Sequence, residues 1–278
     1  MISIRLRSLF GGLAALSLLT APIAAYADEA ANPSANPSAG PSAPRVPAGG
    51  PAASKPAAPN SGSTPGAPAE ASGTVTLDLY NLTDVHGHIE KASKNGTVTE
   101  SGIPAVGCYL DRARAASGDA SFTLLGDNIG ASPFTSGSLQ DNPTIAALNE
   151  LEPLGSTIGN HELDLGLDVF KHRIDGTGGY TKVGFPYLGA NVDGMGRYLG
   201  DKVVWTSASG VRVAFIGAIA GDVPYKLSPG TTKGLAFNDP IPKINAMAKD
   251  LKVSGQADVV IAMLDDDVKN NYPKMGAY

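Results

Sequence analysis

The chain has 278 residues, of which 42% are hydrophobic, and its formal net charge is −5 at pH 7. This length is enough for one sizeable folded domain, and the acidic balance argues against a surface for nucleic acid or anionic membrane. The single cysteine, Cys108, excludes an internal disulfide framework. Stability must therefore come from packing, from bound metal, or from both.

The first 27 residues have the form of a secretory signal peptide. Arg5 and Arg7 precede an apolar run over 9–19, and 25–27 reads Ala-Tyr-Ala, a small-x-small cleavage site. The apolar run is too short to span a bilayer as a permanent anchor. We therefore expect a secreted protein whose residues 1–27 take no part in the fold, with a retained interfacial helix as the alternative.

Residues 28–73 are predicted to be a disordered linker. They contain ten of the 21 prolines, many Ala, Ser and Gly, and no aromatic residue. Such a segment cannot bury enough apolar surface to fold, and proline stiffens it toward polyproline II. At about 3.1 Å per residue it could hold a domain on the order of 100 Å from a surface. A spacer through a cell wall is the expected use, with a plain N-terminal tail as the alternative.

From residue 74 onward the apolar pattern alternates between strands and helices. Strands are predicted at 75–83, 121–125, 156–159, 186–192, 203–205, 211–219 and 257–264. Helices are predicted at 102–117, 142–151, 166–172 and 241–251. This alternation predicts a layered α/β domain over 74–278, with mixed β-sheets flanked by helices. The last strand is apolar throughout and is predicted in the centre of its sheet, and Cys108 is expected in the core.

Polar side chains follow four of the predicted strands. In chain order they are Asp84, His86 and His88, then Asp127, then Asn160 and His161, and finally Asp265, Asp266 and Asp267. Each group alone is a weak signal, because such residues are also common in solvated turns and helix caps. Ligands of open α/β sheets, however, bind beyond the carboxyl ends of the strands. Gathering these carboxylates there with almost no Lys or Arg would be costly unless metal ions lie between them.

The ligand types narrow the metal chemistry without choosing one metal. Asp84 and His86 are two apart on a segment expected to be extended, so they could share an ion. Asp127 could bridge two ions, and Asn160 offers a neutral oxygen. Nitrogen and oxygen ligands without thiolate suit Zn, Mn, Fe or Mg. Two ions about 3.5–4 Å apart would favour hydrolysis of a phosphate ester by an activated water.

His161 and Asp164 are the candidate catalytic pair. An imidazole beside the metal site could protonate the leaving alkoxide or stabilise transition-state charge. Asp164, three residues further on, could orient that imidazole. His88 and Glu162 are assigned no chemical step, and His172 is expected at the surface.

Three motifs carry a resemblance to a known family. The strings TDVHGH at 83–88, GDN at 126–128 and GNHELD at 159–164 resemble the first three motifs of the calcineurin-like metallophosphoesterases. With the signal peptide they resemble the secreted branch of bacterial bifunctional 5′-nucleotidases and UDP-sugar hydrolases, over essentially all of 74–278. The resemblance implies one ion on Asp84, His86 and Asp127, a second shared by Asp127 and Asn160, and catalysis by His161 with Asp164.

The chain departs from that family's pattern at the last predicted strand. The family places a metal-binding His there, whereas this sequence has Asp265. A carboxylate would favour a harder ion such as Mn or Mg. Asp266 or Asp267 could serve in its place, or the run could be a solvated loop with no ligand.

The resemblance also implies parts that the residues up to Tyr278 do not supply. The family carries a later Gly- and His-rich motif and a separate C-terminal domain that stacks the nucleobase. We therefore expect this chain to be an N-terminal fragment that turns over little substrate alone. The expected substrate is a small-molecule 5′-nucleotide, without nucleic acid polymer or a stable membrane span. A UDP-sugar, a 2′,3′-cyclic nucleotide, or a non-catalytic cell-wall-tethered binding protein with a decayed site are the alternatives.

Overall fold

Strands and helices alternate along the residues that the computed structural model describes, which are 2–10 and 73–266. The remainder of the predicted signal peptide, the predicted linker up to residue 72 and residues 267–278 lie outside these ranges. No helix in the described residues is long and apolar enough to cross a membrane.

The structure has twelve strands and six α-helices in its described residues. The strands are β1 Ile2–Phe10, β2 Val75–Thr83, β3 Ala92–Lys94, β4 Thr97–Glu100, β5 Ala120–Leu124, β6 Ser156–Thr157, β7 Tyr187–Leu188, β8 Val192–Asp193, β9 Lys202–Thr206, β10 Arg212–Ile219, β11 Ala236–Phe237 and β12 Val259–Asp265. The helices are α1 Ile103–Ala116, α2 Phe134–Gly137, α3 Asn142–Glu150, α4 Leu167–Asp175, α5 Val223–Lys226 and α6 Pro240–Val253. Short 3₁₀ helices cover His161–Leu163 and Gly196–Tyr198.

Two larger sheets organise these elements. The first has the order β1-β2-β5-β6-β7, and every pair of neighbours in it is parallel. The second has the order β12-β10-β9, with β12 parallel to β10, and β9 and β10 form an antiparallel hairpin. Two-stranded pairs form between β3 and β4 and between β8 and β11.

The two sheets pack face to face across an apolar layer. Leu77 and Leu79 of β2 meet Leu188, Phe215 and Met263 there. The alternation of β2 turns its other face toward helices α1, α3 and α4, and the alternation of β10 does the same toward α6. The result is a helix–sheet–sheet–helix arrangement, which confirms the predicted layered α/β class.

The position of β12 corrects one expectation. Within the described residues it lies at the edge of its sheet, with β10 as its neighbour. Its apolar run reflects packing on both faces: Val259 and Ile261 lie against the layer between the sheets, whereas Val260 and Leu264 lie against α6. A strand covered on both faces is apolar throughout whether it is central or not.

Two further expectations fail at the surface. Residues 2–10 were expected outside the fold, but they pair in parallel with β2 as the edge strand β1, with Arg7 Nε 3.6 Å from Asp78 Oδ1. The edge of β2 offers unpaired backbone groups that an extended segment can satisfy. Cleavage after Ala27 stays a prediction for the mature protein.

Cys108 is exposed on α1 instead of lying in the core, because Leu110 takes the inward position.

Candidate metal centre

The carboxyl ends of β2 and β5 deliver two of the predicted ligand loops to the same edge of the first sheet. The loops are joined by backbone hydrogen bonds. His86 N donates to Asp127 O at 3.0 Å, and Gly87 N donates to Asn128 O at 3.2 Å. Because the strands are parallel and adjacent, these contacts fix one loop against the other before any ligand binds.

The backbone at this edge is unusual at three of the predicted ligands. Asp84, His86 and Asp127 have φ of 52°, 42° and 50°, in the left-handed region. The segment from Asp84 to His86 was expected to be extended, and that expectation is wrong, because the chain turns sharply as β2 ends. Left-handed non-glycine residues cost roughly 1–3 kcal/mol each and cluster at functional sites.

Three side chains converge where these loops meet. One ligand atom each of His86, Asp127 and His161 lies within 4.8 Å of the other two. Asp84 adjoins the group, with its Oδ1 3.8 Å from His86 Nε2. The rings of His86 and His161 meet edge to face with centroids 4.8 Å apart.

The ring of His86 is oriented from behind. Its Nδ1 lies 3.0 Å from the carbonyl oxygen of Gly130, which can only accept, so Nδ1 carries the proton and Nε2 faces the cluster. This is the arrangement that metal-binding histidines commonly have. The adjacent Asp84 carboxylate raises the pKa of His86 to about 9, burial opposes that rise, and the Gly130 carbonyl and Asp127 add to it.

His161 is held by two carboxylates. Its Nδ1 lies 2.9 Å from Asp164 Oδ2, and its backbone N donates to Asp127 Oδ1 at 3.0 Å. The His161 side chain is 30% exposed, so a substrate could reach the ring. The structure therefore brings Asp164 to the back of the imidazole, with Nε2 left for chemistry.

Acidic groups crowd the floor of the site. Burial raises the pKa of Asp127, and burial together with Asp127, Glu162 and Asp84 raises the pKa of Asp265 to about 8. The Lys226 ammonium acts against the rise at Asp265. Carboxylates that repel one another in a buried position are the condition that a divalent cation relieves.

The remaining predicted residues fall in different places. Asn160 is half-buried and stands at the N-cap position of the 3₁₀ helix that carries His161, with no side-chain hydrogen bond to that helix. His88 turns away, with its Nδ1 2.8 Å from Glu100 Oε2. Asp266 follows β12 directly, and Asp267 lies outside the described residues.

Two buried polar residues of the site were given no role from the sequence. Glu162 is 3% exposed and Asn128 is fully buried, and they hydrogen-bond each other through Asn128 N and Nδ2. Burial and the Asp127 charge raise the pKa of Glu162 to about 7, against the backbone N–H groups that bond it. The motif strings contain both residues, but nothing in a string shows that a Glu is buried.

The donor set fits a divalent cation. Imidazole nitrogen and carboxylate oxygen converge without any thiolate, and acidic groups beneath them carry raised pKa values. The metal identity and the number of ions do not follow from this set.

Solved structures with the same architecture are known. NAD nucleotidase of Haemophilus influenzae matches with a TM-score of 0.58 and 24% identity, over 71% of this chain and 35% of that chain. The calcineurin-like phosphoesterase YfkN of Bacillus subtilis matches with a TM-score of 0.52 and 21% identity, over 68% of this chain and 61% of that chain. The chain has the calcineurin-like phosphoesterase fold. No protein-family model matches the sequence.

Two curated relatives are much longer than this chain. The chain is 29% identical over 213 residues to the Bacillus subtilis endonuclease YhcR, covering 71% of this chain and 18% of that protein. It is 28% identical over 229 residues to the Listeria monocytogenes cell wall protein Lmo0130, covering 73% of this chain and 29% of that protein. The chain thus spans less than a third of the length of either relative.

Proposed function

We propose that this chain is the metal-binding part of a secreted phosphohydrolase that converts 5′-nucleotides to nucleoside and phosphate. The observation that carries the proposal is the convergence of His86, Asp127 and His161 within 4.8 Å. Asp164 behind His161 adds the orientation that a proton-transfer group needs.

Five residues would hold the metal: Asp84, His86, Asp127, Asn160 and Asp265. When bound, a pair of divalent cations supplies charge neutralisation of the phosphoryl group and activation of water. Asp265 lies within electrostatic reach of Asp84 and Asp127, which supports it as the residue that stands where the family has a histidine.

His161 would act on the leaving group. The Asp164 carboxylate accepts from Nδ1 and holds the ring, so Nε2 can donate a proton to the departing ribose oxygen. The Asp127 carboxylate also accepts a hydrogen bond from the backbone N–H of His161. This bond holds the imidazole in a fixed position relative to the proposed metal ligands.

Two names among the similar proteins bear on substrate and location. One solved structure is an NAD nucleotidase, which supports a nucleotide, whereas one relative is an endonuclease. Another relative is a cell wall protein, which supports export and retention at the cell surface.

The test compares His161→Ala with His172→Ala in the chain loaded with Mn²⁺. His172 is exposed and bonds Thr177, so it is a matched control. We expect Mn²⁺-dependent hydrolysis of AMP to fall about 10²–10⁴-fold in His161→Ala and to be unchanged in the control. The rate of each variant is expressed as a ratio to the wild-type rate.

UDP-glucose, 2′,3′-cyclic AMP and single-stranded DNA are assayed in parallel with AMP. Faster cleavage of one of these would replace the nucleotide assignment while keeping phosphoester hydrolysis. A chain that binds Mn²⁺ but cleaves none of the four would contradict the enzyme and favour a binding protein.

A further inference from the structure

Glu162 lies beneath the candidate metal centre and receives hydrogen bonds from two of the loops that build it. Its Oε2 accepts from Asp127 N at 3.0 Å and from Gly159 N at 2.8 Å. Its Oε1 accepts from Asn128 N at 2.8 Å. The loop after β5 and the loop after β6 are thus tied to one carboxylate.

Two side chains complete the shell of that carboxylate. Asn128 Nδ2 donates to Oε1 at 3.2 Å, and the Tyr187 hydroxyl donates to the same oxygen at 3.3 Å. Glu162 also belongs to the 3₁₀ helix that carries His161, and it is 3% exposed. Its side chain therefore fixes the imidazole and the two loops as one unit.

We propose that Glu162 is a positioning residue that sets the metal affinity of the site without touching the metal. This inference rests on the proposed function, because it presupposes that Asp127 and Asn160 hold a cation. Asp127 and Asn160 stand on different loops, and the shared oxygen of Glu162 keeps the backbones of those loops in register. Groups that hold metal ligands by hydrogen bonds orient those ligands before the metal binds. Less conformational entropy is then lost on binding, and the metal affinity is higher.

The requirement is for a carboxylate and not for a polar side chain of the same shape. Every contacting group is a donor: three backbone N–H groups, one amide NH₂ and one hydroxyl. The amide of a glutamine has one accepting oxygen, so its NH₂ would face N–H donors in either orientation. At the position of Oε1 it would face Asn128 N, and at the position of Oε2 it would face Asp127 N and Gly159 N. Glu162→Gln therefore leaves buried donors unsatisfied although its volume is nearly unchanged.

The test measures Mn²⁺ binding to the metal-free chain by isothermal titration calorimetry. Glu162→Gln is compared with Asp258→Asn, since Asp258 also accepts a backbone N–H, from Arg212, but at the amino end of β12. We expect Mn²⁺ affinity to fall about 10–100-fold in Glu162→Gln and to stay unchanged in Asp258→Asn. Titrations are run where circular dichroism shows both variants folded, so that a role in stability alone would leave the affinity intact.

The outcomes separate this inference from the proposed function. Equal Mn²⁺ affinity for wild type and Glu162→Gln overturns the inference and leaves the phosphohydrolase standing. A wild-type chain that binds no Mn²⁺ overturns both. Equal losses in the two variants would show a general effect of removing a carboxylate and would also overturn the inference.

A measurement on the wild type covers the case in which Glu162→Gln does not fold. Amide hydrogen exchange of Asp127, Asn128 and Gly159 is followed in the metal-free chain. We expect these three amides to exchange as slowly as the amides of β2, because each donates to a buried carboxylate. Exchange at the rate of open loops would overturn the inference without any variant.

Discussion

The two ends of β12 carry aspartates in opposite electrostatic situations. Asp258, directly before the strand, bonds the Arg212 guanidinium at 2.8 and 3.0 Å and its backbone N–H at 2.8 Å, which lowers the pKa of Asp258 to about 2. Asp265, the last residue of the strand, has a pKa raised to about 8 by burial and by neighbouring carboxylates. The strand thus begins beside a carboxylate that an arginine neutralises and ends in a carboxylate with no such partner.

The contrast shows where the chain provides its own counter-charges and where it does not. Arg212 meets Asp258 directly, whereas Lys226 only opposes the repulsion that Asp265 feels from Asp127 and Glu162. Repelling carboxylates that are kept buried in a folded protein imply a stabilising cation from solution. The electrostatics thus distinguish an end with its own counter-charge from an end where we propose that a cation binds.

The largest effect is expected from Asp127→Asn. This change removes the carboxylate that converges with the His86 and His161 rings. Since orienting partners alone are worth about 10–100-fold in metal affinity, loss of a direct ligand should weaken Mn²⁺ binding by more than ~100-fold. Calorimetry on the metal-free chain measures this Mn²⁺ affinity. Unchanged affinity in Asp127→Asn would place the metal elsewhere and would remove the basis for the contrast between the two ends of β12.

A smaller effect is expected from Gly159→Ala. An added Cβ at Gly159 would overlap the carboxylate and the backbone nitrogen of Asp127, so the two loops must separate. We expect a loss of about 1–3 kcal/mol in unfolding free energy by urea denaturation, together with weaker Mn²⁺ binding. Gly221→Ala is the control, because its Cβ would approach no atom closer than 3.5 Å. Equal unfolding free energies of the two variants would mean that the loops carrying Gly159 and Asp127 can accommodate the added methyl group without strain.

The stability of the metal-free chain should fall as pH rises. The folded pKa of Asp265, about 8, lies above its ordinary 3.8, so its contribution is complete below about pH 4 and is lost as pH rises through 8. The pKa of His86 is raised from 6.5 to about 9, so its contribution to stability is also lost as pH rises, beginning at about pH 6.5. Asp258 contributes in the opposite direction, and only as pH falls from about 4 toward 2.

Thermal unfolding in EDTA from about pH 5 to about pH 9 measures that slope. Asp265→Asn should flatten it, and Mn²⁺ should raise the melting temperature most at the alkaline end. A melting temperature that rises with pH in EDTA would contradict the electrostatic account of the site.

The smallest effect is expected from Asp258→Asn. The Arg212–Asp258 pair is exposed to solvent, and exposed ion pairs contribute little to stability. We expect a slight fall in melting temperature, unchanged Mn²⁺ affinity and unchanged AMP hydrolysis. A change in metal affinity would show that the two ends of β12 are coupled, and would break the contrast.

The sequence predicted the layered class and most strands because apolar periodicity reports which faces are covered. The same periodicity predicted where His86, Asp127 and His161 would meet, since each follows an apolar run at a strand end. It could not report neighbours across the sheet, so β12 was expected in the centre, and the apolar run alone did not show its edge position.

The unpredicted parts of the site depend on contacts between distant residues. Glu162 is understood only from the N–H groups of Asp127 and Asn128, which lie on another loop. The left-handed turn at Asp84 and His86 was also missed, because single Asp and His residues tolerate many backbone conformations.

The left-handed backbone of Asp84, His86 and Asp127 has a consequence for laboratory evolution. Glycine relieves the strain at such positions. Selection for heat resistance should therefore favour glycine at each of them, whereas selection for metal binding should favour the present side chain. Libraries screened for thermal tolerance in the presence of chelator should enrich glycine at these three positions. Libraries screened with Mn²⁺ present should retain all three.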